Sequence, residues 1–192
     1  MKSVKKTICF LTVAAMLLGM SGCKHEKHLT HERMCEVAEE LDIDDYRDYD
    51  DLLESISYYI GSGYYSDDGR DAQKMYDVVI NRFNIYDSYD IEETTTIFYS
   101  DDDDNEICLI YLLTFESQDD AEDFFDDYAD DMDIEEDNGY TYAISTGGTD
   151  SRSTAEAGYW EDNSVLVIKE IGDDTCFAED FCESMNLVSP VD

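Results

Sequence analysis

The sequence predicts an α+β domain: an antiparallel sheet with helices on one face, extended by a C-terminal hairpin and helix. Three observations carry this. Segments with apolar residues at helical spacing alternate with short segments rich in Ile, Thr and Tyr. One segment, "EICLIYLLTFE" (106–116), is apolar on both faces and so reads as a central strand. Two of the helical segments also share an order of residues that suggests an internal repeat.

The elements follow in order. Thr30 can cap a helix over 31–41, with Met34, Val37, Ala38 and Leu41 on its apolar side. "DIDDYRDYDDLLES" is an acidic link that ends in a short helical turn. "ISYYIGSGYY" (56–65) predicts a strand, with a helix running on to Ile60 as its rival. "DAQKMYDVVINRF" (71–83) is a helix with Ala72, Met75, Tyr76, Val79 and Phe83 inward. "TTTIFYS" (94–100) is a strand. "SQDDAEDFFDDYADD" (117–131) is a helix capped by Ser117, with Ala121, Phe124, Phe125 and Tyr128 inward. "YTYAIST" (140–146) is a further strand. "STAEAGYW" and "SVLVIKEI" flank a turn at 161–163 and form a hairpin. A last helix buries Phe177, Ala178, Phe181, Cys182 and Met185.

The repeat pairs the helix at 71–83 with the one at 117–131. Asp71-Ala72 and Tyr76-Asp77 match Asp120-Ala121 and Phe125-Asp126, and each helix is followed by "DIEE", at 90–93 and 133–136. Strand-helix-strand taken twice is the split βαβ of ferredoxin-like folds, with both helices on one face.

The N-terminus has a different character. Lys2, Lys5 and Lys6 precede an apolar run of eleven residues, Ile8–Leu18. A bilayer-spanning helix needs about 20. The run ends in "GMSG" before Cys23, a secretory signal layout. With Ser21 and Gly22 before Cys23, it resembles the lipobox of bacterial lipoproteins, with Met20 where that family usually has leucine. The resemblance covers residues 1–23. It implies cleavage before Cys23, acylation of that residue, and a lipid-anchored protein outside the cytoplasm. The expected organisation is a signal at 1–22, a tether at 23–30 and one acidic domain over 31–192.

Charge narrows the partners. The chain carries 12 Lys+Arg and 49 Asp+Glu, a net charge of −37, and removing the three lysines of the signal takes it to −40. Nucleic acid is excluded as a partner, because binding it needs basic residues to displace counterions. A protein partner would present a basic face. The one basic stretch of the mature chain, Lys24–Arg33, lies next to the anchor. With 43% apolar residues and one proline, the acidic body is a folded domain and not a disordered tail.

Candidate sites are few. "CKHEKHLTHERMC" (23–35) holds all three histidines, His25, His28 and His31. An acylated Cys23 is a thioether and offers no thiolate to zinc, so this stretch reads as the foot of the protein, ahead of the folded region. No cofactor is implied. Cys35, Cys108, Cys176 and Cys182 form the pool from which an exported protein could draw disulfides. "DDDDNE" puts Asp101, Asp103 and Asn105 at the first three ligand positions of a calcium loop, but Glu106 and Leu112 stand where Gly and Glu are required, so it is a weak candidate. Fifteen tyrosines and one tryptophan leave Tyr64, Tyr65, Tyr159 and Trp160 as candidates for an exposed ligand-binding face. The leading expectation is a non-enzymatic binding module. Glycan or cell-wall binding through those aromatics, a carboxylate-based hydrolase and a divalent-cation buffer are the alternatives.

Overall fold

A computed structural model of the chain describes residues 27–46, 48–58, 61–83, 85, 87–101, 106–149, 152–172 and 176–191. Cys23, Asp103, Asn105 and His25 lie outside them. Among the described residues the elements are α1 (His31–Glu40), α2 (Tyr49–Tyr58), β1 (Gly63–Asp68), α3 (Arg70–Phe83), β2 (Ile91–Asp101), β3 (Glu106–Phe115), α4 (Gln118–Tyr128), β4 (Ile134–Asp137), β5 (Tyr140–Thr149), β6 (Arg152–Glu161), β7 (Ser164–Gly172) and α5 (Phe177–Met185). The strands form one antiparallel sheet in the order β1-β2-β3-β7-β6-β5-β4. The α+β class, the antiparallel sheet and the interior place of β3 are those the sequence predicts.

The sheet separates two cores. On one face α2, α3 and α4 pack Leu52, Ile56, Met75, Tyr76, Val79, Phe124 and Phe125 against Phe98, Leu109, Tyr111, Leu113, Val165 and Val167. On the other, α1 and α5 pack Met34, Val37, Phe177, Phe181 and Met185 against Ile97, Ile110, Leu112, Tyr159, Leu166 and Ile168. The expected sharing of one face by α3 and α4 is therefore present. However, α1 and α5 cover the opposite face, giving three layers instead of helices on one face alone. The two faces of β3 are both apolar, because each lies under a helix layer.

The split βαβ connection is replaced by another. In that fold β1 and β2 would be parallel and separated by a strand, whereas here they are antiparallel neighbours, with Tyr64 opposite Ile97. The reason lies between α3 and β2. A helix alone carries the chain back toward the start of β1, from where the next strand would run parallel. Residues 87–90 undo this by returning along α3. The Tyr76 hydroxyl donates to Asp87 O at 3.0 Å, Gln73 Nε2 donates to Tyr89 O at 3.1 Å, and Ile91 N donates to Gln73 Oε1 at 3.1 Å. In the second half α4 crosses from β3 to the far edge, and β4 to β7 meander back to pair with β3. Both "DIEE" stretches still enter a strand after a helix: Ile91 is buried in β2, and Ile134 is half-exposed on the edge strand β4.

The boundary at 56–65 goes to the helical rival. Leu52 and Ile56, four apart, both reach the core, so α2 runs to Tyr58. Gly61 (φ +75°) then turns the chain, and β1 starts at Gly63. Gly63 lies against the Tyr46 ring, where a Cβ would come within 1.8 Å of a ring carbon. Thr30 and Ser117 cap α1 and α4 as expected, accepting from Arg33 N and Asp120 N.

Candidate binding groove

The C-terminal ends of α3 and α4 lie side by side on one face of the sheet. Phe83, Ile85, Tyr128 and Met132 form the floor of a groove of about 710 Å³ between them. Asp87, Asp127, Asp130, Asp131 and Glu156 line it, together with Ser145. The floor is fixed by packing. The Phe83 ring meets Tyr128 edge-on at 5.5 Å and Tyr111 at 6.0 Å. The buried Tyr128 hydroxyl donates to Ala157 O at 3.2 Å. Its ring lies over Gly158, where a Cβ would stand 2.7 Å from it.

The electrostatics are unusual for a helix end. The C-terminus of a helix is the negative end of its dipole and is normally complemented by Lys, Arg or His. The last turn of α4 has no basic residue; it holds Asp127, and Asp130 and Asp131 follow just past its end. One cation already sits at the groove edge. Lys169 Nζ is 2.5 Å from Glu156 Oε1 and 5.7 Å from the centre of the Phe83 ring. An ammonium held by a carboxylate and an aromatic face is the contact that the rest of the groove can offer a ligand.

The aromatic candidates do not form a surface. Tyr64 and Tyr65 are consecutive in a strand, as are Tyr159 and Trp160, so each pair is split between the two faces. Tyr159 is fully buried with its hydroxyl donating to Val188 O at 2.6 Å, and Tyr64 is buried with its hydroxyl on Glu39. Trp160 packs on Phe125 and donates to Asp162 O, while Tyr65 donates to Asp67. Each of these rings packs against a neighbour on its own face of the sheet and belongs to the sheet's packing.

Cys35, Cys108, Cys176 and Cys182 are free thiols. Cys182 meets the Tyr159 hydroxyl at 3.3 Å, and Cys176 lies beside Glu106. Burial pushes the Cys35 thiol up and the Cys182 thiol to about 12. Asp101 ends β2 opposite Glu106.

Two histidines belong to the folded body, contrary to the expectation of a free foot. His28 N and Leu29 N donate to Glu161 Oε2 at 2.8 and 2.9 Å, which anchors the entry to α1. His31 lies over the sheet with Nδ1 2.8 Å from Thr95 Oγ1 and Nε2 2.8 Å from Thr114 Oγ1. Thr95 donates onward to Ser66, so its oxygen accepts from Nδ1–H and Nε2 accepts from Thr114. Burial lowers the His31 pKa to about 4. A neutral imidazole saturated by two hydroxyls, beside a thiol at Cys35 held protonated, organises packing and offers no activated nucleophile.

Glu106, a misfit in the calcium-loop pattern, and Glu170, which no motif singled out, are almost fully buried under α5. Glu106 Oε1 accepts from Phe177 N at 2.9 Å and from Cys176 N at 3.3 Å, and Glu170 Oε1 accepts from Ala178 N at 3.0 Å. Both carboxylates meet the same turn of α5 in a buried site, which favours a proton on one of them. Desolvation, then the bond to Glu106, raises the Glu170 pKa to about 8. The alternation of Leu166, Ile168 and Glu170 was the available signal that Glu170 points inward.

No family model and no curated protein matches the chain. Among solved structures it is similar to the extracellular domain of PknH from Mycobacterium tuberculosis, at 15% identity and a TM-score of 0.37. The match covers 50% of this chain and 62% of that one, so the chain spans less than two thirds of that domain.

Proposed function

We propose that the chain is a non-enzymatic binding module held outside the cytoplasm by lipid on Cys23, and that it takes a cationic partner in the groove between α3 and α4. The observation that carries this is the acidic end of α4. Three aspartates at the negative end of a helix dipole, around an apolar floor, oppose helix stability and favour a cation. A basic segment of a protein would place its alkyl stems on Phe83, Tyr128 and Met132 and its charges on the rim. Among the described residues no helix is long and apolar enough to cross a membrane. Anchoring would rest on acyl chains, each buried CH₂ contributing about 0.8 kcal/mol.

A hydrolase would need two acids about 5 to 9.5 Å apart across a cleft. Glu106 and Glu170 are instead both buried beneath a helix, bound to its first turn, and line no cleft.

The test is titration of the protein with an amphipathic Lys/Arg peptide, comparing wild type with the triple variant Asp127→Asn, Asp130→Asn, Asp131→Asn. Affinity should fall about tenfold or more in the variant, and binding should weaken with added salt. Equal affinity for both proteins would remove the groove as the site. Mass spectrometry of the mature N-terminus checks the anchor, and an unmodified Cys23 would refute it.

A further inference from the structure

The pair under α5 has the geometry of a conformational control. Glu106 opens β3 and Glu170 lies near the end of β7, on the same face of the sheet. Each faces the first turn of α5 and accepts from its free N–H groups: Cys176 and Phe177 on Glu106, Ala178 on Glu170. This cap is the docking point for the whole helix. Phe177 stacks on Tyr99 of β2 at 4.2 Å, and Phe181, Cys182 and Met185 enter the core behind it. At the far end Arg33 Nη2 donates to Ser184 O at 2.7 Å, and the chain continues to Val188, which is held by Tyr140 and Tyr159.

One atom of the pair is out of balance. Glu170 Oε2 is fully buried and has no partner unless a proton lies between it and Glu106. The surroundings offer no cation to replace that proton. From β3 the facing titratable groups are Glu106 and Cys108, the latter directly opposite Glu170. From α5 they are Cys176 and Cys182, with Asp180 nearby, and from β2 they are Asp101, directly opposite Glu106, and Tyr99. The residue opposite Glu170 on β6 is Ala155. All of these are neutral or negative. Two anions side by side in a buried site repel strongly, and three helix N–H groups do not neutralise two charges.

We propose that Glu106 and Glu170 form a proton-dependent latch on α5: with one proton between them the helix is docked, and loss of that proton releases its first turn from the sheet. Release would uncover Tyr99 and the apolar strip of Ile110, Leu166 and Ile168 that α5 helps to cover. The sign follows from linkage. The folded state holds a proton that the unfolded state gives up near pH 4.5, so docking loses stability from that point up to the folded value of about 8. This proposal is independent of the groove reading, since the groove lies on the opposite face.

Hydrogen exchange across about pH 6 to pH 9.5, corrected for base catalysis, tests it in the full protein. Protection of the α5 amides should decline, by at most roughly tenfold per pH unit for a single proton. The decline should be absent in Glu170→Gln, whose amide can donate to Glu106 at every pH. A wild-type profile that stays flat, or a Glu170→Gln profile that keeps the wild-type slope, overturns the latch. A second readout needs no variant. Infrared spectra near neutral pH should show the C=O stretch of a buried protonated carboxyl that fades as pH passes about 8, and its absence also overturns the proposal.

Discussion

His31 ties the first helix to the sheet through both ring nitrogens. It begins α1, beside Thr30, and its ring bridges Thr95 of β2 and Thr114 of β3. The bridge continues to Ser66 of β1 and Ser164 of β7, so one imidazole organises hydroxyls on four strands. Removing it would leave each threonine with only its serine neighbour and forfeit two hydrogen bonds, at about 0.5–1.5 kcal/mol each. Its protonation is also linked to stability. The folded pKa is about 4, below the ordinary 6.5, so the unfolded chain binds the extra proton. Stability from this group is complete above pH 6.5 and is lost as pH falls toward 4. Urea melts between those values should show a slope with pH that is less positive in His31→Gln than in the wild type, since Glu170 contributes equally to both. Equal slopes would mean that the imidazole is not held neutral. The sign is opposite to that of Glu170, so the two residues bracket a stability optimum between acid and alkaline pH.

Where α4 crosses the sheet, a glycine sets the approach of helix and strand. Gly158 in β6 lets the Tyr128 ring lie on the strand and lets its hydroxyl reach the Ala157 carbonyl. A methyl group there would push the ring away, and overpacking of this kind costs about 1–3 kcal/mol. Gly158→Ala should therefore lower the denaturation midpoint and also weaken peptide binding, because Tyr128 is part of the groove floor. Unchanged midpoint and binding would show that the ring is free to shift. The return segment 87–90 acts at the same scale. Its bonds to Gln73 and Tyr76 convert a helix crossover into an antiparallel pair, and they explain why the repeat of helix and "DIEE" does not produce a ferredoxin-like sheet.

The whole molecule is governed by its charge. A chain of net charge −37 repels itself, and the repulsion is strong where carboxylates converge, as around α4. Screening shortens from about 8 Å at physiological salt to about 3 Å at 1 M. Thermal melts in rising NaCl should move upward, by about 2–4 °C for each kcal/mol of relieved repulsion in a chain of this size. A midpoint independent of salt would mean that the surface charges are too dispersed to matter. The same salt should weaken binding of a cationic peptide, so stability and affinity are expected to move in opposite directions.

The class of fold, the caps at Thr30 and Ser117, the inward faces of α1, α3, α4 and α5, the interior place of β3 and the β6–β7 hairpin were all legible in the sequence. Each depends on local periodicity or on a short-range hydrogen bond, which consecutive residues specify by themselves. The strand order, the placing of α1 and α5 on the opposite face, the reach of α2 to Tyr58 and the folding of His28 and His31 into the body were decided by tertiary contacts between residues far apart in the chain. The same holds for the sites. Among so many carboxylates no pair is distinctive in sequence. Only the fold buries Glu106 and Glu170 together, and only the fold brings Asp87, Asp127, Asp130, Asp131 and Glu156 around one groove. Charge is written in composition, but its consequences depend on which charges share a low dielectric or a common surface, and that is a property of the packed molecule.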